Sequence, residues 1–76
     1  MIEVRLFATL RGFSRSGRPH FEFPASSGLT VRRVLAEEGV AEDAVHIIMV
    51  NGHRATLGTE LRDGDRLGLF PPVGGG

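Results

Sequence analysis

SSGLTVRRVLAEEG, residues 26–39, is the stretch whose period differs from everything around it. Val31, Val34 and Leu35 fall at i, i+3 and i+4, which places them on one face of an α-helix. Thr30 has the chemistry of an N-cap and Gly39 that of a left-handed stop, with Val40 beyond it as the hydrophobic partner. The spacing predicts a helix over residues 31–38. A helix of two turns is not stable alone, so it needs a sheet to lie on.

The flanking sequence supplies strands on both sides. MIEVRLF at residues 1–7 alternates, with Ile2, Val4 and Leu6 on one face and Glu3, Arg5 and Phe7 on the other. RGFSRSGRP is rich in glycine and serine and suits a long hairpin loop. HFEF alternates again, placing Phe21 and Phe23 together, and Pro24 ends it because proline lacks the ladder N–H. After the helix, AVHIIMVNGHRA is apolar on both faces, as expected of a strand in the sheet interior. In it Val45, Ile47 and Met49 share one side, and His46, Ile48 and Val50 the other. Asn51-Gly52 marks a hairpin turn, and Ala55 lies in a short return strand. LRDGDRLGLF brings a second turn at Asp63-Gly64 and a last strand with Leu67 and Leu69 alternating against Arg66, Gly68 and Phe70. The order ββαβ(β)β predicts an α+β fold of the β-grasp, or ubiquitin-like, kind: a mixed sheet of four to five strands with one main helix packed across it. Residues 1–70 form the domain, and residues 71–76 form an extended, flexible, glycine-rich tail.

Composition narrows the function. A chain of 76 residues buries only ~60% of its unfolded surface and has little room for an internal pocket. Nine basic and nine acidic residues balance, which argues against nucleic acid as a main partner. No cysteine is present, so thiolate chemistry and cysteine metal sites are excluded. All nine basic residues are arginine, which removes the Walker A and Schiff-base lysines together. No run approaches the ~20 apolar residues of a membrane span, and the reading is of a cytoplasmic protein with no membrane partner. His20, His46 and His53 have no ligand spacing, so no metal site is expected. Asp63, Gly64 and Asp65 lack the repeated oxygen ligands of a calcium loop and read as a tight turn. Nothing gathers a serine, a histidine and an aspartate into a triad, so no autonomous catalysis is expected.

The chain closes on LFPPVGGG. Pro71 and Pro72 cannot extend a ladder, and they stiffen the exit towards polyproline II geometry. Gly74, Gly75 and Gly76 lack Cβ atoms, so this thread fits a channel too narrow for other residues. The terminal carboxylate of Gly76 is a poor acyl donor until a partner transfers adenylate from ATP onto it. A frayed end without a role is the alternative for GGG alone; following FPPV at the end of a ββαβ domain, the tail reads as functional. Phe7 and Phe70, opposite Leu6 and Leu69 on their strands, read as an exposed docking pair beside it, which Ile48 and Val50 would extend.

VNG at residues 50–52, DGD at 63–65 and the LFPPVGGG ending resemble the MoaD/ThiS family of sulfur carriers, and LFATLRG near the start is similar to the MoaD branch. The two prolines favour that branch. The resemblance spans nearly the whole chain. It implies a β-grasp carrier with no bound cofactor, adenylated at Gly76 by an E1-like enzyme of the MoeB or ThiF type that uses ATP. The adenylate is then converted to a thiocarboxylate with sulfur from a donor such as a cysteine desulfurase or rhodanese system. In the MoaD branch the charged carrier inserts its tail, with Pro71, Pro72, Val73 and Gly74 as the thread and Gly75 and Gly76 at the reacting end, into the large molybdopterin synthase subunit, MoaE, and gives up sulfur to the dithiolene of molybdopterin, the pterin of molybdenum and tungsten cofactors. In the ThiS branch the sulfur goes to the thiazole of thiamin. Phe7, Phe70, Arg11 and Ile48 are expected at the partner interface, where the resemblance places an arginine at the position of Arg11. A β-grasp interaction module of TGS type, whose glycines are only a tail, is the reading from another class. Without lysine, no lysine-linked chain can be built on this protein.

Overall fold

The helix forms where its period puts it. In the computed structural model, which describes residues 1–12 and 18–72, α1 spans Val31–Glu38. Thr30 is extended, and its hydroxyl accepts a hydrogen bond from the Arg33 N–H at 3.3 Å. The Val31 and Arg32 N–H groups donate to the carbonyls of Thr59 and Leu57, at 3.1 and 2.9 Å. The first three amides of the helix are therefore all satisfied by protein. At the other end Gly39 takes φ 74°, and the Val40 N–H closes on the Leu35 carbonyl at 2.9 Å. This is the left-handed stop that a Cβ would disfavour.

Five strands form one sheet in the order β2-β1-β5-β3-β4. They are β1 (Ile2–Leu6), β2 (His20–Phe23), β3 (Ile47–Val50), β4 (His53–Ala55) and β5 (Arg66–Phe70). β1 and β5 run parallel in the centre, and the other pairings are antiparallel. The Asn51-Gly52 turn joins β3 to β4 with both residues at positive φ, 54° and 81°, the geometry a two-residue hairpin requires. The loop expected after β1 begins instead as a 3-10 helix, Ala8–Gly12. It seals the sheet end with Leu10, which is 1% exposed.

One sheet face carries the core. Ile2, Val4 and Leu6 of β1, Leu67 and Leu69 of β5, and Ile48 of β3 pack with Val31, Val34 and Leu35 of α1. Leu10, Leu29, Val40 and Leu61 complete this cluster. Each such side chain contributes about 1.5–3 kcal/mol, which is what holds a two-turn helix in place. Phe21 and Phe23 pack against the same cluster from the edge strand β2.

Candidate functional site: the outer sheet face and the end of β5

Among the described residues no helix covers the opposite face of the sheet, and the alternation of the strands decides what it shows. β1 places Glu3, Arg5 and Phe7 there; β5 places Arg66, Gly68 and Phe70. Leu6 pairs with Leu69 in the parallel register, so Phe7 and Phe70 follow side by side. Their rings stack with centroids 4.2 Å apart and planes 4° from parallel. Phe7 is 36% exposed. Its position is fixed by backbone: its N–H donates to the Leu69 carbonyl at 3.0 Å, and its own carbonyl accepts from Leu10 at 3.1 Å. Ala8, immediately after it, is held at φ 53°, a left-handed conformation that costs an alanine about 1–2 kcal/mol.

Phe70 is the last residue of β5. Its carbonyl accepts from the His46 N–H at 2.7 Å, and it pairs with Ile47 of β3. Pro71 is half-buried and Pro72 is exposed. Neither can donate to a ladder, so regular pairing ends at Phe70. Val73, Gly74, Gly75 and Gly76 lie outside the described residues. Arg11 sits in the 3-10 helix after Phe7, and its side chain also lies outside the description.

Ile48 is not on this face. It pairs with Leu69 and Ala55, is 8% exposed and belongs to the core. Val50 likewise pairs with Leu67 and packs on the core. The outer residues of β3 are Ile47 and Met49, because alternation sends them to the side of Phe70 and Gly68. Met49 and Gly68, not singled out from the sequence, therefore stand where Ile48 was expected. The available signal was Gly68 itself, a glycine inside a strand, which often marks a close approach.

Two turns brace the start of β5. The Asn51 side-chain amide donates to Asp65 Oδ1 at 2.9 Å, and its oxygen accepts from the Arg66 N–H at 2.9 Å. Asp65 Oδ2 accepts from the Arg62 N–H at 2.8 Å. That backbone N–H, then the Asn51 amide, hold the Asp65 carboxyl below its ordinary range. Asp63 pairs with the Met1 ammonium group, whose hydrogen bond and charge lower it in the same way.

The histidines do not converge. His20 Nε2 lies 3.2 Å from Glu3, His46 precedes β3, and His53 opens β4. Among the described residues no three of His, Cys, Asp and Glu are grouped to hold a metal, and no helix is long and apolar enough to cross a membrane.

A family model described as the ThiS family matches residues 4–76. Small archaeal modifier protein 1 of Haloferax volcanii is 43% identical over 44 residues, 58% of this chain. That match spans about half, 49%, of the length of this curated relative. The crystal structure of SAMP1 from the same organism superposes with a TM-score of 0.75 at 26% identity, covering 99% of this chain and 98% of that one. A complex of subunits 1 and 2 of the molybdopterin-converting factor from Helicobacter pylori contains a chain 32% identical to this one. The TM-score there is 0.64, with 99% and 97% of the two chains covered.

Proposed function

The chain belongs to the ThiS family of ubiquitin-like sulfur carriers and modifiers, and from that premise we propose that it is a sulfur carrier of the MoaD kind, charged at Gly76. The observation that carries the reading is the way β5 ends. Phe70 is tied down on its β3 side, Phe7 stacks on it, and the chain then passes through two prolines into V-G-G-G. A rigid platform is continuous with a slender thread, which suits a protein that is gripped by its body while its terminus reacts elsewhere.

The chemistry needs no acid or base from this chain. A Gly76 carboxylate oxygen attacks the α-phosphorus of ATP in the adenylating enzyme, and pyrophosphate leaves. Sulfur from a persulfide or sulfide donor attacks the acyl carbon, and AMP leaves. With a persulfide, reductive cleavage of the S–S bond then frees the thiocarboxylate. In molybdopterin formation that sulfur passes to the pterin precursor in a MoaE-type subunit, with Gly74 and Gly75 threading the channel. The subunit 1–subunit 2 complex of the Helicobacter relative supports this assignment of partner. Delivery to the thiamin thiazole is the ThiS-type alternative.

The similarity to a small archaeal modifier protein favours a second use of the same activated end. A lysine amine of another protein would displace AMP and form an isopeptide bond. Having no lysine, this chain would serve there as donor and not as lysine acceptor.

The test is the intact mass after incubation with ATP, magnesium, a sulfide source and a MoeB-type adenylating enzyme. The expected product carries sulfur in place of one oxygen, mapped to the C-terminal peptide. An unchanged mass with both MoeB-type and ThiF-type enzymes would reject the carrier and leave a β-grasp interaction module.

A further inference from the structure

β2 is an edge strand, paired on one side only. Its register with β1 fixes what the other side offers. The Leu6 N–H donates to the Pro19 carbonyl at 2.7 Å, and Val4 with Phe21 and Ile2 with Phe23 continue that register. Hydrogen-bonded pairs alternate along an antiparallel ladder, so Phe21 and Phe23 turn their backbone groups towards β1. His20 and Glu22 turn theirs outwards, and among the described residues no backbone bond meets them there. Pro19 and Pro24 bracket the strand. The open edge is therefore two residues long, enough for a short segment and too short to template a sheet.

A groove of about 400 Å³ runs between this edge and α1. Phe23, Pro24 and Leu29 are its apolar lining, and Arg33, Glu37 and Glu38 line its helix side. The one cation there is committed: Arg33 Nε donates to Glu37 Oε2 at 2.6 Å. Glu38 has no cationic partner among the described residues, and one of its carboxylate oxygens is buried without a hydrogen bond. A buried acceptor left unpaired is costly and calls for a donor. The last turn of α1 carries no basic residue, so the negative end of the helix dipole adds to the same field.

We propose that this edge and groove receive an extended, basic segment of another protein as a sixth strand. Its backbone bonds to the outward groups of His20 and Glu22. Alternate residues of a strand face the same side. An apolar side chain therefore lies against Phe23 and Leu29, and a lysine or arginine two places along donates to Glu38. Charge decides the occupant. A second copy of this chain would bring its own Glu22 and Glu38 to the seam, and an acidic segment would set carboxylate against carboxylate. Phe23 pairs with Ile2 at the start of β1, whereas β5 runs out beyond the Leu6–Leu69 pair at the far end of that strand. The segment thus sits at the end of the sheet away from the tail and can be held while Gly76 reacts.

The test uses the full chain and an end-blocked heptapeptide, V-T-K-T-V-T-K, in which valine and lysine alternate on one face. Calorimetry follows binding, and amide chemical shifts and hydrogen exchange locate it. The peptide should bind, slow exchange at the His20 and Glu22 amides and shift Glu38. Glu38→Gln should weaken binding about tenfold without lowering the thermal midpoint, and Glu42→Gln, beside Arg32, should leave it unchanged. Replacing the lysines by glutamate should abolish binding. So should N-methylating the peptide backbone, which keeps the charge and removes the donors. No binding up to about 1 mM, equal affinity for the lysine and glutamate peptides, wild-type affinity in Glu38→Gln, or shifts confined to the outer sheet face would each overturn the proposal. Protection of the His20 and Glu22 amides that grows with the concentration of the free protein overturns it too, because a second copy then holds the edge.

Discussion

Asn51 and Asp65, fourteen residues apart, are joined side chain to side chain at 2.9 Å. The same Asn51 caps the Arg66 N–H, so the β3–β4 turn fixes where β5 begins. Since β5 carries Gly68 and Phe70, the contact sets the register of the outer face. Asn51→Gly keeps the positive φ of the turn but removes both bonds, one of them to a carboxylate. It should cost about 1–3 kcal/mol. Asn51→Ala should cost about 1 kcal/mol more, for the left-handed conformation. Urea unfolding of the two variants checks this; equal stability of both with wild type would reduce the contact to a surface ornament.

Acid should loosen the same corner. Asp63 and Asp65 both have folded-state pKa values below the ordinary carboxylate value of 3.8. Their stabilisation is therefore fully present above about pH 4, where the unfolded chain is also ionised. It is lost as pH falls through the depressed folded-state values. Thermal midpoints measured from neutral pH downwards should fall below about pH 4. In Asp65→Asn the part of that fall owed to this residue should disappear, and an unchanged acid profile would show that Asp65 contributes nothing.

These contacts separate what the sequence discloses from what it conceals. The bounds of α1 were legible because its period and both caps are local: Thr30, Gly39 and Val40 lie within a residue or two of the helix. The strands were legible from alternation. The face of β3 was not, because IIMV is apolar on both sides and alternation alone cannot say which side is the core. Only the pairing of Ile48 with Leu69 decides it. The groove between β2 and α1 was hidden for a similar reason. Residues 22 and 38 come to line it only once the helix lies on the sheet, and no local pattern announces that. VNG and DGD each read as a turn; that their side chains form one brace emerges only once β3 and β5 are paired. The 3-10 helix after Phe7 was masked by the glycine and serine that follow it.

The reassignment of β3 can be checked with two adjacent substitutions. Ile48→Ala empties a core position and should cost about 2–5 kcal/mol, with adenylation changed only as far as the fold is lost. Met49→Ala removes a half-buried side chain of the outer face and should cost about 1 kcal/mol or less in stability. It should nevertheless raise the KM for the adenylating enzyme, as should Phe7→Ala; a well-placed aromatic anchor contributes about 2 kcal/mol or more. The reverse pattern, with Ile48 controlling docking and Met49 controlling stability, would invert the two faces.

The strictest demand falls on the last residue. If Gly76 is the acyl donor, a carboxylate oxygen of it must reach the α-phosphorus of ATP while the body of the domain stays seated on the enzyme surface. Pro71 and Pro72 stiffen part of that span, so the reach is fixed to within about one residue's length, ~3.5 Å. Deleting Gly76 leaves the new terminus short, and adding an alanine after it puts a Cβ where the thread has none. Both changes should abolish thiocarboxylate formation by intact mass, while thermal stability and binding to the enzyme stay close to wild type. Replacing Pro71 and Pro72 by glycine should be milder, lowering the rate by making the thread slack, because a flexible segment loses more entropy when it is ordered. A carrier that tolerates a residue more or less at position 76 would not be reacting through that carboxylate, and the glycines would then serve only as a tail.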